Sequence, residues 1–330
     1  MENVLARLSV QNKTAGLLIV LVAIVLLVLF GELPDNSLFW QEAQNSGHTL
    51  LFSIAAVLIL QLLRDTTYFI QDKPLKLYVA AGTISLLAGL LIEFVQLVLH
   101  SDASKMDVLR DLAGIMAGLG LYAGVDYYLK PPHYLKLSKR KRVGIVVLSL
   151  CVLIASMFSL VRLSVAYVQR DKAFPVIVDL TANWSDAFIR AKHATVKTGD
   201  IYKLEVAGKV NSLVHVNFKR AIYPGLSIME VYPDWSLFNM LTLDIYSQLP
   251  QAFELILRIH DQQHDYVYSD RFNKRITVKS GKNHFRIPLR DIKYAPVDRE
   301  MDVTQISELA LFSAKSDTPL NFYLGVISLE

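Results

Sequence analysis

Cysteine is nearly absent: Cys151 is the single one, so no disulfide can form within the chain. Cellular compartment therefore cannot be read from cysteine pairing. There is also no glycine-rich phosphate loop, no CxxC pair and no HExxH helix motif, which removes the common signatures of nucleotide, redox and zinc-hydrolase sites. Charge is scarce as well, with 19% charged residues against 53% hydrophobic ones, an excess too apolar for an average soluble protein. The basic residues are not interleaved with aromatics on any one stretch, so no nucleic acid partner is expected. No cofactor is expected either.

The apolar residues are gathered into runs. Residues 14–31 and 143–161 carry no charge, and eighteen such residues nearly cross a hydrocarbon core of about 30 Å. Three further candidates lie at 47–63, 77–99 and 107–129. The pattern predicts an α-helical membrane bundle of about five transmembrane helices. The first run is long for a signal peptide and no small-residue cleavage site follows it, so it is read as a retained anchor.

Basic loops resist translocation, which orients the bundle. Arg7 and Lys13 precede the first run; Glu32, Asp35 and Glu42 follow it without a basic residue; Arg64, Lys73 and Lys76 lie in the next loop. Only Lys105 is basic in the 100–106 turn, and Lys130, Lys136, Lys139, Arg140, Lys141 and Arg142 crowd the loop before the last run. The alternation places the N-terminus in the cytoplasm and the C-terminal half outside, in a multi-pass membrane protein. The formal net charge of +4 is carried by residues 1–170, while the remainder balances. The basic loop is read as a topology determinant that also touches anionic lipid.

Past residue 170 the period changes. Leu241–Tyr246, Phe253–Ile259 and His284–Leu289 alternate apolar with polar, and Leu213–Phe218, Arg271–Val278, Leu309–Ser313 and Asn321–Leu329 read similarly. Period-two alternation marks strands with one buried face, and turn signals such as Pro224-Gly225 and Ser280-Gly281 fall between them. The fold expected is an all-β jelly-roll sandwich following the helical bundle. The domains are expected to be 1–130, a four-helix membrane domain; 131–170, a basic cytoplasmic loop and fifth transmembrane helix; and 171–330, an extracytoplasmic β-sandwich.

Ionisable residues inside membrane helices are costly, so each is a functional-site hypothesis. Gly82, Ser85, Gly89, Glu93, Gln96 and His100 step by three or four residues and form one stripe of the third span. Asp107, Asp111, Gly114 and Gly118 form a stripe of the fourth. The Gly114-xxx-Gly118 spacing admits a close neighbouring helix, making both glycines helix-packing candidates. With the topology above, His48, Glu93, Gln96, Asp107, Arg110 and Asp111 gather near the outer leaflet as an intramembrane polar site. The plainer alternative is that these groups only bond one another and lock the bundle. A catalytic role, with Glu93 and Asp107 or Asp111 as acid and base, is a further alternative, though no nucleophile constellation accompanies them.

At these residues the chain resembles the VanZ-like family of bacterial membrane proteins. The pieces are Gly47-His48-Thr49-Leu50-Leu51-Phe52, Leu91-Ile92-Glu93-Phe94-Val95-Gln96 and Asp107-Val108-Leu109-Arg110-Asp111-Leu112-Ala113-Gly114, across roughly residues 15–128. Asp111 stands where the family usually has Asn, and Asn45 where a Lys often precedes the His. Arg110 or Lys105 would then be the substitute cation. The resemblance implies the cell envelope and glycopeptide (teicoplanin) resistance, without implying a reaction; the polar cluster lying on the same membrane face as the exported domain suggests a membrane lipid or lipid-linked saccharide as partner.

The second half resembles galactose-binding-type jelly rolls close to the family 11 carbohydrate-binding modules. Val231-Tyr232-Pro233-Asp234-Trp235-Ser236, Leu255–Asp261, Ser280–Leu289 and Phe322–Ile327 carry the likeness. Gly325 stands where that pattern usually has an acidic residue of a cation site, so no calcium is expected. The densest polar and aromatic stretch is His260–Asn273. Tyr266, Tyr268, Asp270 and Arg271 are its candidate glycan-binding residues, because rings stack on pyranose faces and planar polar side chains grip hydroxyls. His260 and His264 flank Asp261 at a four-residue spacing, but outside a helix that spacing says little, and no metal is expected. Trp184 and Trp235 are read as core anchors. A cell-surface glycan and a protein are both open as partners of this domain.

Overall fold

A computed structural model describes residues 14–26, 37–66, 73–99, 104–129, 135–206 and 209–330. Arg7, Lys13, Glu32, Asp35, His100 and Lys130, singled out above, lie outside the described residues. The chain divides into two compact units, Met1–Arg162 and Leu163–Glu330.

Among the described residues, four helices are long and apolar enough to cross a membrane: α2 (Leu38–Thr66), α3 (Pro74–Val98) and α4 (Lys105–Leu129) in the first unit, and α5 (Lys139–Ala173), most of which belongs to it. The described part of the expected first span is a shorter apolar helix, α1 (Thr14–Leu26). Each long helix outruns its uncharged run because helix geometry continues through the polar flanks, as the 35 residues of α5 show against the run at 143–161. Pro74 at the first turn of α3 costs no hydrogen bond there.

Helix α2 buries Ser46, Thr49, Ser53 and Ala56, small residues at three- and four-residue steps, and then Leu60. Opposite them, a Cβ added to Gly114 would lie 2.2 Å from the Thr49 carbonyl oxygen, and one added to Gly118 would lie 2.2 Å from that of Ser53. The two backbones therefore touch, a packing mode that substitutes close contact for the hydrophobic effect that lipid removes. At one end of these helices Asp126 is buried, and its Oδ2 gathers several donors. Tyr78 donates its hydroxyl to Asp126 Oδ2 at 2.8 Å and Arg64 Nη2 reaches the same oxygen at 3.3 Å. The Arg64 guanidinium also lies over the Tyr122 ring, 5.0 Å from its centroid.

The second unit is a β-sandwich. Its strands are β1 (Val176–Val178), β2 (Ile189–Lys192), β3 (Ala194–Val206), β4 (Lys209–Phe218), β5 (Ala221–Ile222), β6 (Gly225–Met229), β7 (Met240–Ser247), β8 (Phe253–Asp261), β9 (Phe272–Val278), β10 (Gly281–Pro288), β11 (Ile306–Phe312), β12 (Lys315–Ser316) and β13 (Leu320–Leu329). A six-stranded sheet runs β10-β7-β13-β4-β3 with β1 beside β13, and a five-stranded sheet runs β2-β6-β11-β8-β9. Among the described residues every strand pairing is antiparallel. The inward residues of both sheets form one core, including Val216, Phe218, Leu243, Ile245, Leu257, Ile259, Leu309, Leu311 and Phe322. Trp235 is fully buried within it, its indole N–H donating to the Tyr232 carbonyl at 2.7 Å, and Trp184 is also buried.

The alternation in β8 is clean: Leu255, Leu257 and Ile259 are buried, leaving Ile256, Arg258 and His260 on the outer face. Strand β3 was invisible to the alternation rule, since it lies at the sheet edge and its register shifts between Lys197 and Ile201. The expected strand His284–Leu289 begins earlier, at Gly281, and Leu289 instead opens a short helix, α6 (Leu289–Lys293).

Candidate functional site

Each unit holds a polar constellation. In the β-sandwich it lies on the outer face of the five-stranded sheet, where antiparallel register lines residues up in rows. Phe312 pairs with Gly225 on one side and Ile256 on the other, Gly225 with Lys192, and Ile256 with Arg275. One row therefore reads Lys192, Gly225, Phe312, Ile256, Arg275. The next is Arg190, Ser227, Ala310, Arg258, Asn273, by the same pairings. Small residues stand at Gly225 in the first row and at Ser227 and Ala310 in the second. A Cβ on Gly225 would stand 2.4 Å from that of Phe312, so only glycine fits there.

The result is a cleft of about 700 Å³ with Tyr223, Tyr268 and Arg271 at its edges, within the usual size range of small-ligand sites. Lys192, Arg258, Arg271 and Arg275 line it, and no acidic residue does. Arg258 is paired beneath with Glu308, which also meets His260 Nε2 at 3.3 Å. Burial would raise the Glu308 carboxyl, but the His260 hydrogen bond and the charge of Arg258 hold it at about 2. Burial, and then the like charge of Arg258, push the Arg271 guanidinium below its ordinary range. Its plane lies over the Tyr268 ring, 5.3 Å from the centroid. Arg258 Nε, Arg271 Nε and Asn273 Oδ1 are buried atoms without a hydrogen-bond partner among the described residues. Buried polar atoms are nearly always satisfied, so two donors and an acceptor left over in one cleft point to a ligand.

Of the four candidate glycan residues, Tyr268 and Arg271 line this cleft. Tyr266 is 90% exposed, held at φ 68° beside His264. Asp270 turns the other way, to Arg299, to His264 Nδ1 at 3.3 Å and to the Asp265 amide at 3.0 Å. The hydrogen bond from Arg299 comes first among the causes that hold Asp270 well below the usual carboxylate range. The same guanidinium grips Asp261, buried at 1% exposure, which also accepts the Asp302 amide at 2.8 Å. This knot ties the loop after β8 to the segment before β11. His260 and His264 stack at 4.5 Å rather than converge on a point outside the fold. Sequence reasoning missed Lys192, Ser227, Arg258, Asn273, Arg275 and Phe312. The available signal was an outward arginine in otherwise apolar strands, at Arg258 and Arg275.

In the helical unit, the end opposite Asp126 collects the second constellation. His48 comes from α2, Glu93 and Gln96 from α3, and Asp107, Arg110 and Asp111 from α4. His48, Glu93, Gln96, Asp107 and Asp111 are all buried. His48 Nδ1 is 2.9 Å from Asp111 Oδ1, and Glu93 Oε2 accepts the Ser104 amide at 2.9 Å. Arg110 bonds Asp107 and donates to Asn45 Oδ1 at 3.0 Å. Lys105 is exposed. Helix α4 presents Asp107 and Asp111 on the buried stripe that also holds Gly114 and Gly118.

No protein-family model matches the chain, and no curated protein sequence does; the VanZ-like resemblance rests on its motifs alone. Solved structures match the β-sandwich. The family 11 carbohydrate-binding module from Clostridium thermocellum, in complex with a β-1,3-1,4-mixed-linked tetrasaccharide, is 21% identical over 43% of this chain and 86% of that one, with TM-score 0.32. An exo-β-agarase is 18% identical with TM-score 0.35, the match covering 43% of this chain and 23% of the agarase. A family 30 carbohydrate-binding module of a Clostridium thermocellum cellulosomal cellulase is 16% identical over 43% of this chain and 91% of the module, with TM-score 0.31.

Proposed function

We propose that this is a membrane-anchored, non-catalytic glycan-binding protein of the bacterial cell envelope, and that the sheet cleft takes an acidic oligosaccharide. The anchor is the set of four apolar helices, and the charge alternation of the loops puts the β-sandwich on the extracytoplasmic side. One observation carries the reading. The cleft combines exposed aromatic rings, Tyr223 and Tyr268, with Lys192, Arg258, Arg271 and Arg275 and with three orphaned buried polar atoms. Rings suit pyranose faces, while a guanidinium fork suits a carboxylate or phosphate. A neutral glycan would leave Lys192 and Arg271 without a counter-charge, since Arg258 and Arg275 already meet Glu308 and Glu254.

The test is a binding titration of full-length protein in nanodiscs against oligogalacturonate and against cello-oligosaccharides of equal length. Tighter binding of the acidic series is expected, weakening with salt as screening predicts. Arg271→Ala and Tyr268→Ala should each weaken it by roughly tenfold, about 1.4 kcal/mol. Equal affinity for both series, or unchanged binding in both variants, would remove the proposal.

The helical constellation admits a lipid head group as a second ligand, favoured by its buried unsatisfied oxygens, Glu93 Oε1 and Asp111 Oδ2. Those atoms are acceptors on carboxylates. They suit an amine or hydroxyl donor and repel a bare phosphate, a constraint the VanZ-like resemblance did not supply. Loss of binding to aminated or hydroxyl-rich lipids in Glu93→Gln would support this reading; wild-type binding in that variant would end it.

A further inference from the structure

Three groups in the helical unit converge with too few donors. His48, Glu93 and Asp111 each offer one ligand atom, a ring nitrogen or a carboxylate oxygen, and these atoms all lie within 4.8 Å of one another. The residues are 5%, 9% and 1% exposed, so water does not solvate them freely. Asp111 Oδ2 and Glu93 Oε1 have no hydrogen-bond partner among the described residues. Gly89, one turn before Glu93, leaves the room: a Cβ there would stand 3.0 Å from Asp111 Oδ2. Three carboxylates, Glu93, Asp107 and Asp111, meet one guanidinium, Arg110, and that group is engaged by Asp107 and Asn45. Buried charge is tolerated when it is paired or when it coordinates a metal. Pairing within the cluster is incomplete.

We propose that His48, Glu93 and Asp111 form a three-ligand site for a divalent first-row transition metal, with Zn²⁺ as the reference ion. The inference is independent of the sheet-cleft reading. One imidazole and two carboxylates suit zinc and its neighbours, whereas calcium and magnesium ask for six or more oxygens. Ligands held about 2.0–2.2 Å from a tetrahedral ion stand about 3.3 Å apart. The 2.9 Å separation of His48 Nδ1 and Asp111 Oδ1 needs to widen by only a few tenths of an ångström. The divalent charge cancels the excess of two carboxylates. Ser104, through its amide, already fixes Glu93 Oε2 in the manner of an outer partner that orients a ligand. Three protein ligands leave a fourth position for water or an oxygen of a bound molecule.

No sequence motif announces this site, because its members come from three helices, 45 and 18 positions apart in the chain. Asp111 is the residue that departs from the Asn of the resemblance above, and that change supplies an anionic ligand.

The experiment uses full-length protein in detergent or nanodiscs, stripped with a chelator, reloaded with Zn²⁺ and assayed for metal by mass spectrometry after gel filtration. Co²⁺ is substituted in parallel and its visible spectrum recorded. One metal per chain and the intense bands of a four-coordinate cobalt site are expected. His48→Ala, Glu93→Gln and Asp111→Asn should each weaken binding by roughly tenfold or more, while Lys141→Ala, an exposed residue outside the site, should not change it. The inference is overturned if wild-type protein holds no more zinc than the triple variant. It is overturned equally if cobalt in the wild type gives only the weak bands of a hydrated ion, a readout that needs no variant to fold.

Discussion

Two buried carboxylate clusters can be set side by side, one in each unit. Asp261 and Asp270 in the β-sandwich share the guanidinium of Arg299, and Asp261 also accepts a backbone amide. Glu93 and Asp111 in the helical unit are as deeply buried as Asp261 or nearly so, yet each keeps one oxygen without a partner. Burial alone does not separate an architectural charge from a working one. Completeness of pairing does: the first cluster closes on itself, while the second is left open to something that is not part of the chain. The Asp126 cluster, at the far end of the same helices, lies between the two: Tyr78, Arg64 and the Leu135 amide are all directed to Asp126 Oδ2, while its Oδ1 has no hydrogen-bond partner among the described residues.

The sharpest way to break this comparison is Arg299→Ala. Removing one partner of a buried ion pair leaves the Asp261 charge uncompensated, at a cost of about 3–5 kcal/mol. Denaturant unfolding of the full-length protein, followed by Trp184 and Trp235 fluorescence, should show that loss; a change below about 1 kcal/mol would mean the knot is decorative. Glu93→Gln should by contrast leave the stability of the metal-free protein unchanged or raise it, since it removes charge from an incompletely paired site.

Next in size is Gly114→Ala. Its new methyl group meets the Thr49 carbonyl at 2.2 Å, and overpacking of this kind costs about 1–3 kcal/mol. Because α2 carries His48 and α4 carries Asp111, forcing these helices apart should also lengthen their 2.9 Å contact. Metal binding measured in the variant should fall together with thermal stability. Intact binding would show that the constellation tolerates movement of α2.

A smaller effect is expected from acid. Glu308 has a folded pKa of about 2 against an ordinary 4.5, and Asp261 and Asp270 are lowered too. A depressed carboxylate stabilises the fold fully above its unfolded pKa and loses that contribution as pH falls through the folded one. The denaturation midpoint of the β-sandwich should therefore decline from about pH 4.5 towards pH 2. A flat midpoint across that window would refute the assignment of these groups to architecture. The smallest stability change belongs to Tyr268→Ala, whose ring is 71% exposed; its unfolding curve should match the wild type while acidic-glycan binding weakens.

Much of the architecture was legible because periodicity survives without partners. Leu255, Leu257 and Ile259 announce β8 by themselves, and the buried stripe of α3 is visible in Ser85, Gly89, Glu93 and Gln96. Strand β6 was not legible, since Gly225–Met229 buries residues on both faces and its alternation is blurred. The helical constellation could be assembled from spacing and loop charge. The sheet cleft could not, because its cations lie on different strands and meet only through register. Asp270 shows the converse limit. In sequence it sits among tyrosines and an arginine, while its actual partner, Arg299, is 29 residues away.

The row from Lys192 to Arg275 has a consequence for what the sheet can measure. It crosses all five strands, and strands stand about 4.8 Å apart, so the row is roughly 19 Å long with its contact points at fixed intervals. Such a surface acts as a ruler. On the glycan reading proposed above, a monosaccharide would cover one division of it, and each added sugar would reach another until the edge strands β2 and β9 are passed. Affinity should climb with chain length over the first few residues and then level off, so the cleft would count sugars as well as sense their charge.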